Sequence, residues 1–313
     1  MTNAWKIAAI ALLFSACSTA TPPRTAPPAE SYFTTSDGTR LFVRTIRGGR
    51  GGTIIYLHGG PGGQIADGGY ELGELLPERN WVMYDQRGGG RTDRMEGTIT
   101  AAQHVEDLEQ LRRHLGLERF AIVGLSWGSG LAAMYAAKYP QHVERIVFLS
   151  PMPVARIPFD DERSAAVAPY RGKNAARREE LSQLLKTATG DEWKRLCRER
   201  FALGMYSAYV ANPDSLRRAR RCDHPERTLG PAQNDTIQSL GDWDYRPLLR
   251  TLTMPALVIE GAQSIVPLSS AREWAKSLPN GRLLLLENAG HANWLDQPEA
   301  FREAVAAFLD GRP

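Results

Sequence analysis

Short apolar runs alternate along the chain with segments in which apolar residues recur at helical spacing. Parallel strands are buried on both faces and connected by helices, so this alternation predicts a mostly parallel sheet with helices on both faces. The predicted strands are Leu41–Ile46, Thr53–Leu57, Trp81–Tyr84, Phe120–Val123, Arg145–Leu149, Ala256–Ile259 and Arg282–Leu286. The predicted helices include Ala101–Leu115, Ser126–Lys138, Leu268–Leu278 and Pro298–Leu309.

The alternation stops near Ser150 and resumes near Pro255. Residues 155–240 are mostly helical in pattern, polar and rich in arginine. We predict that they form a helical cap, inserted into a core made of residues 31–154 and 241–313. Because open α/β sheets bind ligands at the carboxyl ends of their strands, a cap above that edge is favoured over a second packing layer without a catalytic role.

Composition adds limits to this picture. The chain has 313 residues, of which 42% are hydrophobic and 23% charged, and its formal net charge is +3. These values allow one large domain, or one domain with an insertion, around a core of ordinary size. No run of Lys and Arg is long enough to indicate a nucleic-acid groove, so nucleic acid is not an expected partner.

The first 17 residues have the pattern of an export signal. Lys6 precedes an apolar stretch, Ile7–Phe14, that is too short to span a bilayer. Small residues then lead to Cys17, and the whole resembles a bacterial lipoprotein signal in which this cysteine is lipidated and becomes the first residue of the mature chain. Phe14 stands where such signals usually have Leu, and Ser18 resembles outer-membrane sorting. The alternative is an ordinary cleaved signal with an incidental cysteine.

Residues 18–30 are rich in proline, as expected of an extended tether between a membrane anchor and a folded domain. The predicted location is therefore the periplasmic side of the cell envelope, with a lipid anchor in the outer membrane. In that oxidising compartment Cys197 and Cys222 could form a disulfide, and two separate buried thiols are the alternative.

A candidate nucleophile lies in Gly124-Leu125-Ser126-Trp127-Gly128, which fits the pattern G-x-S-x-G. A sharp turn from strand to helix would hold Ser126 in a strained conformation, and the flanking glycines allow close approach of the backbone. The pattern follows a predicted strand and precedes a predicted helix. Its context therefore favours a catalytic serine over a chance match.

The glycine-rich run His58-Gly59-Gly60-Pro61-Gly62-Gly63 follows another predicted strand. Such loops also bind phosphate, but neither G-x-G-x-x-G nor the lysine of a P-loop is present. We therefore predict a loop that stabilises an oxyanion, with the amides of Gly60 and Trp127 as the two donors. His58 itself is interpreted as structural.

Three motifs occur in order: His58–Gly63, Asp85-Gln86-Arg87-Gly88-Gly89-Gly90, and Gly124–Ser129. Together they resemble the proline iminopeptidase family of α/β-hydrolases over residues 31–150 and 245–310. The resemblance implies an α/β-hydrolase fold with an eight-stranded, mostly parallel sheet and an inserted helical cap. It also implies an aminopeptidase or a related hydrolase of small substrates. Acyl transfer by a serine needs no metal or organic cofactor, and the sequence has no Cys/His spacing typical of a zinc site. Thr92 replaces the usual Ser and Leu125 a frequent Gly, and neither change affects the mechanism.

The resemblance also points to the general base. His291, in Asn288-Ala289-Gly290-His291, follows the last predicted strand, where the family has its catalytic histidine. Of the other histidines, His104, His114 and His142 lie on or beside predicted helices and are interpreted as surface or packing residues, and His224 lies in the predicted cap beside Pro225.

The acid of a Ser-His-Asp triad is missing from its usual place. The family has Gly, two residues, then Asp after the penultimate strand, whereas this chain has Gly261-Ala262-Gln263-Ser264. Loss of that acid typically costs about 10⁴-fold in rate. We predict that Glu260 reaches His291 instead; an acid from another strand end, or a site that is slow or only binds, are the alternatives.

The predicted activity is a two-step acyl transfer by a serine hydrolase, with an aminopeptidase on small peptides as the leading interpretation. An esterase or lactonase would use the same core. A catalytically impaired binding lipoprotein is the alternative from another class. An aminopeptidase needs a carboxylate that binds the substrate's amine, and the cap offers five that the sequence does not distinguish: Asp160, Asp161, Glu162, Glu179 and Glu180.

Overall fold

An eight-stranded sheet forms the centre of the computed structural model, which describes residues 27–93, 97–223 and 231–312. Its strands are β1 (Ala29–Thr34), β2 (Arg40–Ile46), β3 (Arg50–Leu57), β4 (Arg79–Tyr84), β5 (Phe120–Leu125), β6 (Val143–Leu149), β7 (Ala256–Gly261) and β8 (Gly281–Leu286). Across the sheet they run in the order β1-β2-β4-β3-β5-β6-β7-β8. β1 and β2 pair antiparallel at one edge, and the pairs from β4 to β8 are parallel.

Helices cover both faces of the sheet. They are α1 (Gly69–Leu75), α2 (Ala101–His114), α3 (Trp127–Lys138), α4 (Asp161–Arg171), α5 (Ala175–Leu184), α6 (Gly190–Ala202), α7 (Pro231–Ser239), α8 (Arg246–Leu249), α9 (Leu268–Ser277), α10 (Asn293–Asp296) and α11 (Pro298–Leu309). Two apolar clusters separate the helices from the sheet, one on each face. All residues of β5 and β7 are buried, as expected for strands covered on both sides. The predicted α/β-hydrolase architecture is thereby confirmed.

The predicted strands and long helices occur at the predicted places, with ends that differ by a few residues. The elements that were missed include the strand β1 and the short helices α1, α8 and α10. β1 is largely exposed and pairs only with β2, so it lacks the apolar run that marks a buried strand. Its first residue, Ala29, lies inside the segment predicted as a tether. α1 is short and begins with glycine, which hides its helical pattern.

Helices α4 to α7, together with shorter helical turns, occupy the chain between β6 and β7, where the cap was predicted. A bridge between Ala155 and Asp244 joins the two ends of this segment. Within it, Cys197 on α6 forms a disulfide with Cys222, which is the first of the two alternatives for these cysteines. The limits of the cap at 155 and 240 stay a prediction.

None of the helices within the described ranges is long and apolar enough to cross a membrane. Cys17, the predicted lipidation site, and His224 lie outside the described residues.

Candidate active site

Ser126 stands at the sharp turn between β5 and α3. Its backbone has φ 52° and ψ −115°, a conformation that costs a residue with a Cβ about 1–3 kcal/mol. The flanking glycines make this turn possible: a Cβ at Gly124 would lie 2.4 Å from the carbonyl oxygen of Gly128, and one at Gly128 would lie 2.1 Å from that of Leu57. The backbone therefore makes the sharp strand-to-helix turn that the sequence predicts, while the role of Ser126 as nucleophile stays a prediction. Trp127 opens α3, so its amide has no partner within the helix.

The loop after β3 runs beside Ser126. A Cβ on Gly59 would lie 3.3 Å from the Cβ of Ser126. Gly60 has φ +126°, and a Cβ there would lie 2.7 Å from the amide nitrogen of Gly63, so only glycine fits. Gly60, Ser126 and Trp127 line one cavity. This placement agrees with the predicted oxyanion donors, whose role stays a prediction.

A buried network holds that loop. The Gln86 amide N–H donates to His58 Nε2 (2.9 Å), which puts the ring proton on Nδ1, 2.8 Å from the Gly59 carbonyl oxygen. The Gln86 side chain donates to the His58 carbonyl (2.9 Å) and accepts from the Trp127 indole (2.8 Å). Burial lowers the pKa of His58 to about 4, so the ring is neutral. His58 and Gln86 thus connect the two segments that carry the predicted oxyanion donors.

The neighbouring Asp85 and Arg87 are structural too. Asp85 accepts from the amides of Ile65 (2.6 Å) and Arg91 (2.8 Å), and burial raises its pKa to about 6. Arg87 makes a two-pronged, buried ion pair with Asp107, at 2.6 and 2.5 Å. These bonds fix the loop after β4 against the loop after β3 and against α2.

His291, the predicted base, lines the same cavity as Ser126 and is only 5% exposed. Burial, assisted by the charge of Arg163, lowers the pKa of His291 to about 3. The imidazole is therefore neutral at ordinary pH, as a general base must be. No hydrogen bond joins Ser126 and His291 among the contacts of the described residues; such bonds are often long before a substrate binds.

The side chain that meets His291 Nδ1 is Ser264, whose Oγ lies 3.5 Å away, at the long end of hydrogen bonding. The same Oγ accepts from the amide of Val266 (3.1 Å), which fixes its position. The Ser264 hydroxyl thus lies at the position where the family has its acid and where this sequence lacks one.

Glu260 does not reach the imidazole. Within the described part of the chain it makes no hydrogen bond with His291, so the expected direct contact is absent because Ser264 is the neighbour of Nδ1. Glu260 is fully buried; its Oε1 accepts from the Gly261 amide (3.0 Å), and its Oε2 has no partner of good geometry. Burial raises the pKa of Glu260 to about 8, against the opposite effect of that amide and of the nearby Ser264 and Ser150 hydroxyls.

The cavity that contains Ser126 and His291 has a volume of about 420 Å³ and is lined by both core and cap segments. Of the five cap carboxylates predicted as amine ligands, Asp160 lines it, while the other four are exposed and outside the lining: Asp161, Glu162, Glu179 and Glu180. Sequence reasoning missed the other charged lining residues, namely Asp67, Glu71, Arg163 and Arg221. They come from distant segments, and no local pattern marks them.

The remaining described histidines lie elsewhere. His104 is buried on α2, with Nε2 3.2 Å from the hydroxyl oxygen of Thr236 on α7 and its ring against Trp127. His114 packs against Phe33, and His142 contacts the Glu118 carbonyl oxygen (2.7 Å). These positions agree with the predicted packing and surface roles.

Comparison with known proteins places this geometry in a family. The family described as "alpha/beta hydrolase fold" matches residues 52–298. A proline iminopeptidase of Heyndrickxia coagulans is 26% identical over 291 residues, which cover 90% of this chain and 98% of that one. A proline iminopeptidase of Saccharolobus solfataricus is 27% identical, with coverage of 87% and 90%.

Solved structures show the same fold. The proline iminopeptidase of Mycobacterium smegmatis superposes with a TM-score of 0.64 at 20% identity, covering 90% of this chain and 98% of that one. An esterase of Exiguobacterium antarcticum gives a TM-score of 0.65 at 20% identity, with coverage of 90% and 100%. The chain belongs to the alpha/beta hydrolase family, and it is a hydrolase.

Proposed function

We propose that this protein is a serine hydrolase that works by acyl transfer, and that it acts as an aminopeptidase of the proline iminopeptidase type on small peptides. The observation that carries the proposal is the strained Ser126, held at a helix N-terminus in one cavity with the neutral His291. The curated relatives named as proline iminopeptidases, and the three motifs that led to the same family, support the choice of substrate.

In the proposed mechanism, His291 takes the proton of Ser126 as the hydroxyl attacks the substrate carbonyl. The amides of Gly60 and Trp127 bind the oxyanion, each donor contributing about 3 kcal/mol to stabilisation of the transition state. His291 then protonates the leaving group, and water releases the acyl group from the serine by the same steps in reverse.

The imidazolium formed in each step needs a compensating charge. We infer that Glu260 supplies it through Ser264. His291 Nδ1 donates to the Ser264 hydroxyl, which in turn donates to the Glu260 carboxylate. The 3.5 Å contact to His291 and the effect of the Ser264 hydroxyl on the pKa of Glu260 support this order. Glu260 is then a positioning and charge-compensating residue without direct contact to the base.

An esterase is the second candidate. The superposable esterase structure and the apolar side chains in the cavity favour it, among them Leu125, Met152, Phe201, Val266 and Trp294. A binding protein without turnover is the third, since the acid position holds a serine.

A substrate panel separates the candidates. The protein is assayed with aminoacyl p-nitroanilides, including the prolyl compound, and with short acyl p-nitrophenyl esters, beside a Ser126→Ala control. The proposal predicts release of nitroaniline that depends on Ser126. Turnover of the esters alone would select the esterase, and turnover of neither would select the binding protein.

We also propose that the chain is exported and anchored to the outer membrane by lipid on Cys17. The charged and apolar pattern of residues 1–17, followed by the proline-rich stretch, supports this location. Incorporation of labelled palmitate into the expressed chain tests it, and equal labelling of a Cys17→Ser variant would contradict it.

A further inference from the structure

The charged residues that line the cavity are mostly paired. Arg221 makes an ion pair with Asp67, and Arg163 pairs with Asp160 at 2.7 Å. Each pair joins one acid and one base, so the charges largely cancel inside the cavity. Among the described lining residues, Glu71 is the remaining carboxylate.

One carboxylate oxygen of Glu71 accepts a hydrogen bond, and the other has no partner among the described residues. It lies on α1, just after the loop that carries Gly60, and it is 6% exposed. Oε1 accepts from the amide of Arg220 at 2.7 Å, whereas Oε2 is buried without a hydrogen-bond partner among the described residues. A buried carboxylate oxygen in this state is a vacant acceptor, since such oxygens are nearly always hydrogen-bonded.

No neighbouring cation among the described residues donates a hydrogen bond to Glu71 Oε2. The guanidinium of Arg220 is engaged with Glu74 at 3.0 Å and with Asp223 at 3.1 Å. Burial, with the like charge of Glu74, raises the pKa of Glu71 to about 7, against the lowering effect of Arg220. Glu71 therefore makes no ion pair among the described residues, and a ligand that brings a positive charge into contact with it would favour the ionised carboxylate.

We propose that Glu71 binds the protonated amine of the substrate, so that the cavity selects acyl groups that carry a free amino group. This inference rests on the proposed acyl transfer by Ser126, whose cavity Glu71 shares. An ammonium supplies the donor that Oε2 lacks and an ion-pair partner, which Glu71 lacks among the described residues. The site lies on the core side of the cavity. The amine ligand is thus not one of the cap carboxylates, of which Asp160 is already paired with Arg163.

The test uses two substrate pairs, each differing only in the amine: L-proline p-nitroanilide and methyl ester against their N-acetyl forms. Wild-type protein should prefer the free-amine member of each pair it hydrolyses. In a Glu71→Gln variant kcat/KM for that member should fall by about 10- to 100-fold, the effect of losing a charge-assisted hydrogen bond. The N-acetyl member should change by less than about threefold, because it makes no such bond.

Glu303→Gln is the control. Glu303 lies on α11, outside the cavity lining, with a side chain 73% exposed, so its replacement should leave the preference unchanged. Equal losses of Glu71→Gln on both members of a pair would overturn the inference in favour of a structural role. Hydrolysis of the ester pair alone, with the preference intact, would refute the peptidase but support the amine site.

A binding measurement on the wild type tests the inference even if the Glu71→Gln variant does not fold or the protein hydrolyses none of these substrates. Calorimetric titration of the wild type with L-prolinamide should show binding at least about tenfold tighter than with N-acetyl-L-prolinamide, since only the former is charged. Equal affinity, or tighter binding of the acetylated compound, would overturn the inference whatever the fate of the proposed function.

Discussion

The hydroxyl of Ser264 occupies the place beside His291 Nδ1 where a carboxylate would usually stabilise the imidazolium. The nearby Glu260 is fully buried with a pKa of about 8. A carboxyl group in this state is mostly protonated at neutral pH, and its ionised form becomes common only in mildly alkaline solution. In the proposed mechanism His291 therefore depends on two side chains, Ser264 and Glu260, where a triad uses one.

Glu260→Gln tests that dependence. The substitution keeps the size of the side chain but removes its charge, so kcat should fall by several hundred-fold, within the range known for loss of a triad acid. Steady-state kinetics with an acyl ester measures the effect. A loss of less than tenfold would remove Glu260 from the charge-compensating role.

The pH profile gives a second test at the same residues. Because Glu260 must lose its proton to compensate the imidazolium, kcat/KM should rise with pH through about 8. His291 adds no acid limb in this range, since its pKa is about 3. The profile is measured with an ester that has no amine, so that the substrate itself does not titrate.

In a Ser264→Asp variant the introduced carboxylate should contact Nδ1 directly. Activity at pH 6.5 should then increase by about tenfold or more, and the rise near pH 8 should disappear, because an ordinary Asp is ionised well below neutrality. A variant that is less active than wild type, with the alkaline rise retained, would show that His291 does not use this position.

Several residues of the candidate site could be predicted because a short sequence pattern marks each of them. Ser126 and its glycines are marked by one short turn, and Ser264 by its distance from the preceding glycine. Glu71 carried no such signal. Its significance depends on an amide of Arg220 and on ion pairs among residues far apart in sequence, which only the folded chain brings together.

At the scale of elements, buried strands were predictable because β5 and β7 are continuous apolar runs. The edge strand β1 and the short helix α1 were not predicted, because neither has the apolar periodicity on which such a prediction depends. α1 is the more consequential omission because it carries Glu71.

The disulfide connects α6 to the short helical turn Arg221–Asp223, whose arginine pairs with Asp67 in the cavity. Replacing Cys197 and Cys222 together by serine should lower the free energy of unfolding by about 3 kcal/mol, because the bond closes a loop of 25 residues. KM should rise as well, since Arg221 is less firmly placed. Chemical denaturation and kinetics measure both.

Wild-type protein treated with dithiothreitol serves as the control and should match the double variant. An unchanged denaturation midpoint in both samples would show that the bond does not form or adds nothing to stability.

At the scale of the whole molecule, the sheet brings three separate segments to one cavity. The loop after β3 supplies Gly60, the turn after β5 supplies Ser126, and the segment after β8 supplies His291. All three follow the carboxyl ends of parallel strands, where α/β sheets generally place their sites. The cap segment closes the cavity from the other side with Arg163, Tyr206 and other residues.

Covalent labelling of Ser126 tests the central claim most directly. The purified protein is incubated with a fluorophosphonate probe and analysed by intact mass and peptide mapping, beside Ser126→Ala. We expect one probe per chain, located on Ser126, with labelling slowed strongly by His291→Ala and absent from Ser126→Ala. A wild-type protein that stays unlabelled, or that carries the probe on another residue, would contradict the assignment of Ser126 as the nucleophile.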